Sequence, residues 1–214
     1  MPKLQSLRPI INLSKKTKLD VSSRRESTVN FQLLNLQNVL SYECQRRPGV
    51  VGAAVCSLDD IYVAWKRFVD ARRARADDRL LYFVKVDIEK CYDSIDQQKL
   101  YGIVSDLLHG EEYVVRRYVS VVEAGGRLRR SYHRDATSVS DYQPSFMRFV
   151  KDRANARASC RNAFFIDSVL HDHEDAASLL TKLRAHLFHN VVRVGSRRCF
   201  VQSHGIAQVR SWVV

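Results

Sequence analysis

The stretch LYFVKVDIEKCYDSI, Leu81 to Ile95, constrains this chain more than any other. It begins as an apolar run rich in β-branched and aromatic residues, which predicts a strand. Tyr82, Val84 and Val86 alternate with Phe83, Lys85 and Asp87, and neither set is cleanly polar. The strand is therefore expected to be buried on most of both sides. It delivers one carboxylate, Asp87, near its end, and Tyr92 and Asp93 follow before a helix start. A strand that ends in a carboxylate beside an aromatic suits a metal-bound phosphate site with a wall for a sugar. In that reading Asp87 is a ligand for magnesium and the backbone carbonyl of Ile88 adds an oxygen. Tyr92 stands beside the ribose and excludes a 2′-hydroxyl. The alternative for Asp87 is a turn former or helix cap, the commoner use of an Asp at a strand end.

Composition narrows the partners. At 214 residues the chain suits one large or two small domains, and 45% hydrophobic with 27% charged residues is the balance of a globular protein. Lys and Arg number 35 against 23 Asp and Glu, a formal net charge of +12. A surplus that size favours nucleic acid or an anionic membrane, the plain alternative being a basic surface that keeps the protein soluble. No apolar run approaches the ~18 residues that span a bilayer. The start, MPKLQSLRPI, has no apolar core of a signal peptide. Cys44, Cys56, Cys91, Cys160 and Cys199 are scattered and odd in number, which fits reduced thiols in an intracellular compartment.

The flanking sequence supplies further elements in order. Lys3 and Arg8 bracket a short turn before a strand at Leu7, Ile10 and Ile11. Two cations there can grip a triphosphate, Lys as a point charge and Arg as a fork. Residues 13–28 read as a basic loop. Leu33, Leu36, Leu40 and Cys44 form one helical face, stopped by Arg47-Pro48-Gly49. Ser57 with Asp60 opens a helix whose apolar face is Leu58, Ile61, Trp65 and Phe68, with Trp65 expected in the core. Ser94 with Gln97 resembles a capping box for a helix striped by Leu100, Ile103, Val104, Leu107 and Leu108. Tyr118 to Val122 suggest a strand, Gly125-Gly126 a turn, and Asp141 to Pro144 the start of another helix. His171-Asp172-His173-Glu174 reads as a solvated helix start rather than a zinc site, and Ala176, Leu179, Leu183 and Leu187 as a helix. VVRV and CFVQ around Gly195-Ser196 suggest a β-hairpin. HGIAQVRSWVV forms no nameable element.

An apolar strand, Asp, four residues, an aromatic, Asp and a helix together resemble motif A of reverse transcriptases. The PK…LRPI string resembles motifs 1 and 2 of their fingers, and HGIAQ resembles the start of the next palm motif, GIPQGS. LRPIIN, LSYECQRRPGVVGA, LDDIYVAWKRFV, LYFVKVDIEKCYD, YVVRRYVSVV and YQPSFMRFV are similar to the telomerase reverse transcriptase family, vertebrate type. The long interval between motif A and GIAQ is also telomerase-like.

The resemblance implies an α+β fold: an incomplete reverse-transcriptase fingers and palm with a mainly helical insertion and short β-hairpins. Residues 1–80 would be fingers and supporting helices, 81–108 the start of the palm with motif A, and 109–199 the insertion in the fingers domain. Residues 200–214 would be a truncated start of the next palm motif with a divergent tail. It further implies a catalytic, magnesium-binding Asp87, two Mg2+ ions in the complete enzyme, a metal-side Ile88, and nucleotide contacts from Lys3, Arg8, Ile88, Tyr92 and Gln208. The function implied is RNA-directed DNA synthesis of telomeric repeats in the nucleus, at chromosome ends. Partners implied are telomerase RNA, a telomeric DNA primer, deoxynucleoside triphosphates and ribonucleoprotein proteins, with no membrane. Ala207 stands where the family has Pro, and Val209 where it has Gly. The paired aspartates of motif C are missing from the chain, so it is expected to extend no primer alone, and its incomplete cores imply marginal stability or folding with a partner. Two other readings stay open: a non-catalytic nucleic-acid-binding isoform, and a retroelement reverse-transcriptase fragment.

Overall fold

The computed structural model describes residues 10–14, 27–55, 57–108, 112–156, 163–194 and 198–209. In chain order its elements are β1 (Ile10–Ile11), α1 (Val29–Arg46), a 3-10 turn (Pro48–Val51), α2 (Leu58–Ala74), α3 (Cys91–Ser94) and α4 (Gln97–Leu107). There follow β2 (Glu112–Ala124), β3 (Arg127–Ser138), α5 (Phe146–Ala156), β4 (Phe164–Asp167), β5 (Asp172–Asp175), α6 (Ala176–Phe188), β6 (Val191–Val194), β7 (Arg198–Val201) and β8 (Gln208–Val209). The chain divides into two compact units, Met1–Arg46 with Lys90–Val214, and Arg47–Glu89.

The larger unit is α+β and is built on the β2–β3 hairpin. The strands pair antiparallel from Tyr113 opposite Ser138 to Ala124 opposite Arg127, and Gly125 and Gly126 turn with φ of 62° and 71°. Positive φ at both turn positions is what a tight hairpin turn requires and what glycine supplies without steric cost. β4 and β5 both pair with the other edge of β2, at Tyr118–Val121 and Glu112–Val115. Alternate residues then face opposite sides. On one side Tyr113, Val115 and Ala136 pack with Leu36 and Val39 of α1, Val104 of α4 and Leu179 of α6, the buried core. On the other side Tyr118 meets the rings of Phe146, Phe149 and Phe165. The buried Arg116 guanidinium lies 4.8 Å from the Phe149 ring centre and 4.9 Å from that of Tyr142.

The helices α1, α4 and α6 fall where the apolar spacing places them. The insertion differs in balance: across 109–199 long strands, rather than helices, carry the core. Strong β-formers at Tyr113, Val114, Val115, Tyr118, Val119, Val121 and Val122 sustain one strand through its whole length. HDHE is also different from the expected helix start. Asp172–Asp175 is a strand, because its two inward carboxylates have cations to meet. Asp172 lies 3.3 Å from Arg117 and 3.7 Å from Arg134, and Glu174 lies 2.7 Å from Lys182. The helix begins after it, capped by Asp175, whose carboxylate accepts from the Ser178 N–H.

In the smaller unit, α2 starts as its sequence indicates: the Ser57 hydroxyl accepts from the Asp60 N–H. Its apolar face is not core, however. Trp65 is 44% exposed and touches Phe68 and Phe83 only at ring distances of 5.5 and 5.6 Å. Beyond it, Asp77 is hydrogen-bonded by Arg79, which holds its carboxyl well below the usual range, and Arg72 also donates to the Asp77 carbonyl. Among the described residues Cys44, Cys91 and Cys199 are free thiols, and no helix is long and apolar enough to cross a membrane.

Candidate active site

The segment after Asp87 is shaped by its backbone. Lys90 adopts a left-handed φ of 53°, and its carbonyl accepts from the N–H groups of Asp93 and Ser94, winding the short α3. Tyr92 sits on this turn, 43% exposed. Ser94 does not cap the next helix; its hydroxyl donates to the Cys91 carbonyl. The cap is Asp96, which accepts from the Lys99 N–H at 3.0 Å. That hydrogen bond, with His204 contributing charge, lowers the Asp96 pKa. The cap lies two residues later than SIDQ suggests because Ile95 and Asp96 are extended and α4 starts only at Gln97.

Shifting the cap changes the role of Gln97. It is 7% exposed, and its side-chain NH2 donates to the carbonyls of Gly205, at 2.8 Å, and Gln202, at 3.2 Å. The HGIAQ string is thereby folded onto α3. The Gly205 N–H donates to the Ile95 carbonyl at 3.1 Å and the Ile206 N–H to the Tyr92 carbonyl at 2.8 Å. Gly205 has φ 67°, and a Cβ there would lie 2.6 Å from the Tyr92 carbonyl oxygen and 2.8 Å from the Asp93 Cα. Only glycine meets both conditions. Directly after, β8 pairs parallel with β1, Gln208 opposite Ile10 and Val209 opposite Ile11. The string without a nameable element thus contains a strand, too short for its pattern to show.

Three strings chosen from sequence therefore converge in one unit: the Tyr92 turn, the GIAQ string with Gln208, and the strand that follows Arg8. Lys3 and Arg8 themselves lie outside the described residues. The sequence marks Gln97 as a capping residue and not as a clamp, and it does not foresee the fit of Gly205. The signal for the clamp is a polar residue at a position that the apolar stripe of α4 leaves inward.

Asp87 and Ile88 belong to the smaller unit. The Asp87 carboxylate is exposed and accepts from the Ile88 N–H at 2.9 Å. The expected buried strand does not form: residues 77–88 have no ladder pairing, and Phe83 is 83% exposed. A strand apolar on both faces needs neighbours on both edges, and the described residues supply none. For a magnesium ion, the Asp87 carboxylate and the Ile88 carbonyl are the right kind of hard oxygen donor. By themselves they would fill only part of a coordination shell, and no group of three acidic, His or Cys side chains suited to a metal occurs among the described residues.

No family model matches the sequence. Over 97% of its length the chain is 34% identical to the telomerase reverse transcriptase of Mus musculus, covering 19% of that protein. It is 35% identical to the telomerase reverse transcriptase of Bos taurus, again over 97% of this chain and 19% of the relative. The Rattus norvegicus protein of the same name is 34% identical over the same shares. The chain spans about a fifth of the length of these relatives.

Proposed function

The chain belongs to the telomerase reverse transcriptase family, and on that premise we propose that it is a fingers-and-palm segment of an RNA-directed DNA polymerase that adds telomeric repeats to chromosome 3′ ends in the nucleus. The observation that supports this most is the convergence of the Tyr92 turn, the GIAQ string and β1 within one unit. Those strings hold the residues assigned to the sugar, Tyr92, and to the nucleotide, Gln208, and β1 follows the Lys3 and Arg8 assigned to the triphosphate. Tyr92 is the sugar-side wall, Gln208 lies along the nucleotide, and Lys3 and Arg8 bind the triphosphate. Asp87 and the Ile88 carbonyl would be this chain's ligands for Mg2+, and the ion would supply Lewis acidity and charge neutralisation at the reacting phosphate oxygens. Telomerase RNA is the template, a telomeric strand the primer, and other proteins of the ribonucleoprotein complete the assembly. The Asp87 carboxylate alone does not hold two ions, so the 214-residue chain by itself is expected to extend no primer. The test is extension of a telomeric primer by the polypeptide completed to the length of its relatives, with its RNA. Extension that ribonuclease abolishes is the expected result; ribonuclease-resistant extension, or none, counts against the proposal.

A specific feature favours a second reading, nucleic-acid binding without catalysis. The tip of the β2–β3 hairpin is exposed and carries Arg127, Arg129 and Arg130. Cations held on a projecting hairpin suit a phosphate backbone. Binding of duplex by the 214-residue chain would then weaken with salt, log affinity falling by roughly 0.9 per phosphate neutralised. Replacing the three arginines by alanine is expected to reduce that slope by about 2 to 3. An unchanged slope removes the hairpin from the interface.

A further inference from the structure

We infer that Gln97 is a positioning residue for nucleotide selection: its carboxamide clamps the 202–205 turn onto α3, so that Tyr92 and the Gln208 strand are presented as one surface. Both partners of the side chain are backbone carbonyls, so only its NH2 end can face them, and one amide group satisfies two acceptors. The site is buried, where a carbonyl without a donor is costly. The turn it holds then makes the two hydrogen bonds to α3, from Gly205 to Ile95 and from Ile206 to Tyr92. The second of these is to the backbone of the aromatic residue itself. Two residues beyond Ile206 lies Gln208, fixed by pairing with β1. A second path holds the same turn from the other side: Asn190 donates to the Gln202 carboxamide oxygen at 2.8 Å, and the Gln202 N–H donates to the Asn190 carbonyl at 2.9 Å. Losing Gln97 therefore loosens the turn at Gly205 and leaves it tethered at Gln202. The expected consequence is a local change in the Tyr92–Gln208 geometry without unfolding.

As a statement about nucleotides this rests on the polymerase reading; as a statement about the turn it rests on the hydrogen bonds. The test has two readouts, hydrogen exchange on the 214-residue chain and nucleotide binding by the polypeptide completed to the length of its relatives. In amide hydrogen exchange, Gln97→Met is expected to lower protection of Gly205 and Ile206 at least tenfold while β2 and α6 keep theirs, and Gln97→Glu, which cannot donate, to do the same. Gly205→Ala reaches the same local state from the other partner. In titration calorimetry of the completed polypeptide with dATP and ATP, the preference for the deoxynucleotide is expected to fall about fivefold in Gln97→Met. Unchanged protection at Gly205 and Ile206 overturns the inference, as does local loosening that leaves a measured sugar preference intact. If the completed polypeptide with Gln97 binds neither nucleotide, the polymerase reading is what fails, and the exchange result alone then decides whether Gln97 holds the turn.

Discussion

Tyr113 shows how much of this fold depends on single polar contacts. Its ring is fully buried against α1, and its hydroxyl donates to the Glu43 carboxylate at 2.8 Å. Glu43 is itself fully buried, an acidic side chain on the apolar face of a helix. Tyr113→Phe removes one donor from a buried carboxylate while keeping the ring, and is expected to cost about 2 kcal/mol in chemical denaturation. A change within a few tenths would show that the bond contributes nothing net. Such pairs are invisible in the sequence, because Glu43 reads as one more polar residue between Leu40 and Cys44. The same holds for Gln97: SIDQ reads as a capping box, and only the extended backbone at Ile95 and Asp96 turns its glutamine into a clamp. Tyr92 and Gln208 were legible because their neighbours form strings with a definite order. Gly205 was legible as a residue, but its reason, a Cβ colliding with the Tyr92 carbonyl, is a tertiary one.

Among elements, the helices were the most legible. α1 and α6 each turn a leucine-rich stripe toward the core, interrupted in α1 by Glu43, and that periodicity needs no tertiary information. Their contact is also tuned by a histidine. His186 of α6 lies 2.9 Å from the carboxamide oxygen of Gln32 on α1, and burial pushes its pKa below the ordinary 6.5. The unfolded chain thus takes up the proton first as pH falls. The contribution to stability is full above the unfolded value and is lost as pH drops through the folded one. Stability curves of the wild type and His186→Gln are expected to diverge only between about pH 7 and the depressed folded pKa, the wild type being the more acid-sensitive. Parallel curves would place the imidazole in solvent. Strands were less legible where charge or shortness hides them. β5 is made of Asp, His and Glu, and only the cations of β2, β3 and α6 make it a strand. β8 is two residues long and exists through β1. The most strand-like run of all, Leu81 to Val86, lacks a ladder, since propensity without a partner strand leaves extended, exposed backbone.

For the whole molecule, two compact units divide the motif that first marks the chain, Asp87 on one side and Tyr92 on the other. The larger unit buries a core between its hairpin and helices, and holds the Tyr92 turn, the GIAQ string and β1 together. The smaller unit leaves the apolar residues around Asp87 exposed. A net charge of +12 suits a polyanionic partner, and over 97% of its length the chain is 34–35% identical to telomerase reverse transcriptases of which it spans about a fifth. We propose that Asp87 is a metal-binding carboxylate of a telomere-copying polymerase. The most direct measurement is magnesium-dependent extension of a telomeric primer by the polypeptide completed to the length of its relatives, wild type against Asp87→Ala. The rate is expected to fall about a thousandfold, the several kcal/mol of charge stabilisation that a metal supplies, with primer binding unchanged. Undiminished extension by Asp87→Ala would contradict it.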